Sequence, residues 1–129
     1  MKKIIITIIF FLVLSVPAFG SDWKQVGTGP IDNPIYLDVD NILTKYKRYR
    51  IWWKIRYNTP EKNDNGKSMV EVHINSEINC SERTEKSLSR VNYFEDGSNE
   101  SFNFKSLKAK PTGITPDSVI YRLSKIVCD

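Results

Sequence analysis

Two cysteines, Cys80 and Cys128, stand at the end of an alternating β-prone segment and at the end of a helical one, in a 129-residue chain that opens with an export signal. An even pair in an exported protein is most simply one disulfide, because oxidising compartments form such bonds and keep them. No other feature confines the fold as tightly: the segment that ends at residue 128 has to lie against the one that ends at residue 80. The same bond removes both sulfurs from the list of nucleophiles.

The signal has three parts. Met1-Lys2-Lys3 is basic, Ile4 to Leu14 is apolar apart from Thr7, and Ala18-Phe19-Gly20 places small residues where a signal peptidase reads. Residues 1–20 are therefore expected to be removed by a cut after Gly20; a cut after Ala18, with Val16 and Ala18 as the small pair, is the alternative. A permanent anchor fits less well, since the apolar run falls short of the ~20 residues that span a bilayer. No cysteine follows the cut, so no lipid anchor is expected, and the lysine-isoleucine opening has a bacterial character. The expected location is the periplasm or outside the cell. Residues 21–129 then form one domain with a single core. Loss of Lys2 and Lys3 leaves 17 Lys and Arg against 15 Asp and Glu, so the formal charge drops from +4 to +2. That balance by itself singles out no polyanion, and export argues against nucleic acid as a partner. No second long apolar stretch predicts membrane contact after cleavage.

The pattern along the mature part is strands followed by one helix. Trp23 to Val26 and Ile35 to Asp38 are short β-prone pieces, and Asp38 or Asp40 can cap a helical turn over Ile42 and Leu43. Arg48 to Tyr57 alternates Tyr49, Ile51, Trp53, Ile55 and Tyr57 against Arg50, Trp52, Lys54 and Arg56, the period of a half-buried strand. Thr59 to Lys67 reads as an exposed loop. Met69 to Cys80 alternates again, with Cys80 on the face of Val72, Ile74 and Ile78. Thr84 to Phe94 is a further strand with weaker alternation, and Ser101 to Phe104 is its expected hairpin partner. Thr115-Pro116-Asp117-Ser118 then starts a helix, with Thr115 as cap, over Val119 or Ile120, Leu123, Ile126 and Val127. The fold class expected is α+β: a twisted antiparallel sheet of about six strands, with one C-terminal helix packed on it and disulfide-linked to it.

These residues resemble the surface-adhesin protein E family. The likeness rests on Glu77-Ile78-Asn79-Cys80-Ser81-Glu82-Arg83-Thr84, an early tryptophan (Trp23), Tyr36-Leu37-Asp38, Ile51-Trp52-Trp53, Pro116-Asp117-Ser118 and the final Cys128. It extends over nearly all of the mature chain. It implies an antiparallel sheet with the C-terminal helix tied on by the cysteine pair, and a role in holding host matrix proteins.

Chemistry has few places to reside. Lys45 to Tyr57 (KYKRYRIWWKIRY) holds six basic residues with no acid between Asp40 and Glu61. Arg50, Trp52, Lys54 and Arg56 should share one strand face, where cations beside a tryptophan can hold sulfated or carboxylated glycans or an acidic protein loop. The plainer reading is a solvated sheet face whose long side chains cover apolar surface. Glu71, His73 and Glu77 alternate on the next strand, but Glu71 to Glu77 spans about 20 Å of extended chain, too far for one ion. No metal or other cofactor is expected. His73 is the only histidine, and no nucleophile elbow or phosphate loop occurs, so no enzyme is expected either. The function expected is a non-enzymatic envelope binding protein for host matrix proteins or acidic glycans. A periplasmic inhibitor or chaperone-like protein is the alternative, although a lysozyme inhibitor should be acidic and this chain is not. Edge strands also allow a homodimer.

Overall fold

The computed structural model describes residues 21–104 and 110–129; the expected export signal, residues 1–20, lies outside the described residues. The strands are β1 (Trp23–Thr28), β2 (Pro34–Asp38), β3 (Leu43–Lys45), β4 (Arg48–Lys62), β5 (Ser68–Asn79), β6 (Thr84–Phe94), β7 (Asn99–Asn103) and β8 (Thr112–Gly113), followed by helix α1 (Val119–Cys128). All pairings are antiparallel and form one sheet in the order β1-β2-β4-β5-β6-β7, with short β3 on β4 and short β8 on β6. The class is therefore α+β, with six strands in the main path.

The period of two in β4 sets the core. Ile51 and Trp53 are buried, and they pair in register with Ser76 and Ile74 of β5. The Trp53 indole N–H donates to Ser76 Oγ at 3.0 Å, so both buried polar atoms have a partner. Helix α1 lays its apolar face on this surface: Leu123 is fully buried among Ile35, Leu37, Ile51, Trp53 and Ile78, with Val119, Ile120 and Val127 around it. Burial of such a leucine stabilises by about 1.5–3 kcal/mol. A helix of ten residues does not hold its shape alone. The disulfide between Cys80 and Cys128 (Cα–Cα 5.7 Å) fastens its last turn beside the end of β5, and both cysteines pack on the same cluster. A smaller cluster of Met69, Val72 and Phe94, joined by Tyr57 and Ile74, closes the other end of the sheet.

Beyond shifts of two residues at the ends of β1 and β7, three boundaries differ from the sequence expectations. The helix begins at Val119 rather than at Thr115, because Ser118 is the cap: its Oγ accepts from Tyr121 N at 3.1 Å and donates to Thr115 O at 2.7 Å. Asp117 adopts a left-handed φ of 64°, which no helical first turn allows. Strand β4 continues through Thr59 and Pro60 to Lys62, where a loop was expected. Its pairing with β5 lapses between Arg56 and Glu61, so no ladder bond is lost at the proline. The actual turn is Asn63–Lys67, with Asn63 Oδ1 accepting from Asn65 N and Lys67 N. Finally, Asp38 does cap a helical turn, but a single 3-10 turn over Val39–Asn41; Leu43 already belongs to β3.

Candidate functional site

The face of the sheet opposite α1 is built by cross-strand register. Tyr36 pairs with Lys54, Lys54 with His73, and His73 with Val91; Arg56 pairs with Glu71 and Glu71 with Tyr93. Trp52 lies across from Asn75 and Arg50 across from Glu77. Paired residues share a side, so Arg50, Trp52, Lys54 and Arg56 lie on one face, as their spacing in the sequence predicts.

Their surroundings differ sharply. Lys54 is only 7% exposed, and its ammonium stands 3.0 Å from Glu71 Oε1. The same ammonium sits 4.5 Å from the ring centre of Trp23 and 5.2 Å from that of Tyr36. Arg56 reaches Glu71 Oε2 at 3.4 Å and lies over Tyr36. His73 Nε2 is 2.6 Å from Glu71 Oε1, and its ring packs against Trp23 at 5.1 Å and Tyr93 at 4.5 Å. Burial pushes the Glu71 carboxyl up. Hydrogen bonds from His73 and Lys54, with their charges, outweigh it and hold the group below its ordinary value. Glu71 is thus a carboxylate at neutral pH, with its oxygens already taken by protein donors. Lys54 braces this cluster and is not placed to meet a ligand. Glu71 and His73 serve each other, and among the described residues no three His, Cys, Asp or Glu side chains group as metal ligands.

Exposed charge gathers at the β3–β4 hairpin instead. Lys45 pairs with Arg48, and the two residues between them, Tyr46 and Lys47, both have positive φ, 51° and 58°. This is the geometry a two-residue hairpin turn needs to match strand twist, normally supplied by Asn-Gly. Tyr46 stands 86% exposed, with the Lys45 ammonium 5.4 Å from its ring centre. The carbonyl of Lys47 accepts from Cys80 N at 3.2 Å, which ties the hairpin tip to the disulfide. Arg48 and Arg50 each lie 3.9 Å from Glu77 and are about half exposed. A cleft of about 800 Å³ runs along the hairpin past Lys45, Tyr46, Arg48, Arg50 and Glu77. A second, of about 380 Å³, is walled by Trp23, Leu43, Arg50, Trp52, His73 and Tyr93. Arg50 and Leu43 stand in the wall between the two.

Trp23, Tyr36 and Tyr93 have no part in the sequence-derived site. Trp23 and Tyr36 are lone aromatics on their strands and Tyr93 stands next to the buried Phe94, and only the register brings each beside Lys54 or His73.

This arrangement defines a class: a single antiparallel sheet with a C-terminal helix bound covalently at the end of a central strand, and a mixed basic and aromatic opposite face. A family model for Surface-adhesin protein E matches residues 23–129, and the chain belongs to that family. Solved structures of protein E from Haemophilus influenzae share the fold. One superposes with a TM-score of 0.57 at 16% identity, covering 84% of this chain and 88% of that one. Protein E from non-typeable Haemophilus influenzae gives 0.58 at 16% identity, covering 84% and 76%, and a second crystal form gives 0.58 at 16%, covering 84% and 91%. No curated protein matches the chain. Membership in a family of surface adhesins goes with an exported or surface protein. Among the described residues no helix is long and apolar enough to cross a membrane.

Proposed function

We propose that this chain is a non-enzymatic binding protein of the bacterial envelope, cut after Gly20, that holds an acidic glycan of the kind carried on host matrix. The observation that carries this reading is the hairpin, where Lys45, Lys47, Arg48 and Arg50 find a single ion-pair partner, Glu77, among the described residues. Long contacts between exposed side chains are worth about 0–1 kcal/mol. A sulfate or carboxylate can displace Glu77 from them at little cost and gain charge-assisted bonds with the guanidinium groups. Of the four residues singled out from the sequence, Arg50 lines both clefts and Trp52 the smaller one, while Lys54 and Arg56 lie further along β4 on Glu71. The only histidine is hydrogen-bonded to Glu71 and packed between two rings, which favours a structural role over acid–base work.

The test is retention of the mature protein on immobilised heparin. Elution should move to lower salt in the variant carrying both Arg48→Glu and Arg50→Glu, and wild-type retention should weaken steeply with salt. Arg56→Glu should have the smaller effect, because Arg56 already faces Glu71. Retention that ignores salt, or that survives the double reversal, would remove the proposal.

A further inference from the structure

The smaller cleft has a different chemistry from the hairpin. Its walls are three ring systems, Trp23, Trp52 and Tyr93, together with His73, while Arg50 and Asn41 supply polar groups. Two of the rings, Trp23 and Tyr93, are held through His73 before any ligand arrives. Trp23 is set edge-on to His73, with the planes at 62°, and sits beside the buried Lys54 ammonium. His73 is held in turn by Glu71 and Tyr93. Such preorganisation spares a ligand the loss of side-chain freedom on binding. The carboxylate of Asp38, also in the wall, is occupied: it accepts from Asp40 N at 3.3 Å and from Asn41 Nδ2 at 2.8 Å. Its charge is therefore partly offset and directed into its own turn.

A volume of about 380 Å³ lies within the ~300–1,000 Å³ range of small-ligand sites. Flat aromatic walls with a few polar groups at the rim suit a molecule with one apolar face of C–H bonds and an edge of hydroxyls. A sugar ring has that shape. A bare inorganic polyanion has no face for the rings, and a purely apolar ligand would strip water from Arg50 without replacing it.

We infer that this cleft seats one sugar ring of the acidic glycan, with its C–H face on the aromatic wall and its acid group on Arg50, while the rest of the chain crosses the hairpin toward Arg48. The inference rests on the polyanion reading and adds a recognition element to it: charge recruits the ligand, and the cleft identifies it as a saccharide. Arg50 joins the two sites, since it lines both clefts.

The experiment titrates the mature protein, by tryptophan fluorescence and by calorimetry, with two probes: a short heparin oligosaccharide and inorganic polyphosphate. Trp52→Ala should weaken the oligosaccharide about tenfold and leave polyphosphate unchanged, and Trp52→Phe should recover most of the loss. Equal losses for both probes, or no loss for either, would overturn the ring subsite while leaving the polyanion reading in place. Absence of binding by both probes to the wild type would sink the polyanion reading, and the subsite with it.

Discussion

Replacing both Cys80 and Cys128 by alanine tests the staple that organises the domain. The bond closes a segment of 48 residues. In the chain-entropy treatment a loop of that length restricts the unfolded chain by about 4 kcal/mol. Single domains are stable by only ~5–15 kcal/mol, so a large share of the total is at stake. With a urea dependence of about 2 kcal/mol per molar, the unfolding midpoint should fall by about 2 M. The melting temperature should fall by about 20 °C. The double variant avoids a free thiol, and alanine keeps the Cβ atoms that pack beside Ile78 and Val127. Urea titrations of the oxidised wild type and the variant should be followed by tryptophan fluorescence and by far-ultraviolet circular dichroism. Helical signal should be lost first in the variant, because burial of Leu123 is then the main hold on a ten-residue helix. A midpoint that moves by less than about 0.5 M, with the helix intact, would refute the reasoning: packing alone would then fix the C-terminal segment.

Two further outcomes follow from the opposite face and the hairpin. Glu71 has a lower pKa folded than its ordinary value, so its contribution is present above the usual carboxylate range and is lost as pH falls through the folded value. Glu71→Gln should be about 2 kcal/mol less stable at neutral pH, with the two stability curves converging in acid below the usual carboxylate range; parallel curves would contradict this. At the hairpin tip, the change Tyr46→Asn with Lys47→Gly supplies residues that accept positive φ, and thermal unfolding should show a gain of about 1–2 kcal/mol. Heparin retention should also weaken in that variant, because Lys47 is one of the hairpin cations.

Much of the sheet is legible in the sequence because β4 and β5 each bury one face along most of their length; only at the start of β5 does a bulge between Met69 and Glu71 turn Met69 inward in place of Val70. Strand β6 reads less clearly for a physical reason: an irregularity opposite Asn75 and Ser76 inserts Leu88 into the ladder, and the alternation changes phase there. The helix start is not legible because Thr115 and Ser118 both offer cap chemistry, and nothing local reveals that Asp117 turns left-handed between them. Pro60 gave a false end to β4, since a lapse in pairing is a property of two strands and not of one. The site was half legible. Period two puts Arg50, Trp52, Lys54 and Arg56 on one side, but the burial of Lys54 depends on Glu71 and Trp23, which arrive from other strands.

The amide of Cys80 that reaches the Lys47 carbonyl gives the disulfide a second consequence. One residue anchors both the end of the helix, through its sulfur, and the tip of the cationic loop, through its backbone. In an exported protein the sulfur bond forms only once the chain has left a reducing compartment. The end of the helix is then fastened covalently to the same residue whose backbone already holds the loop.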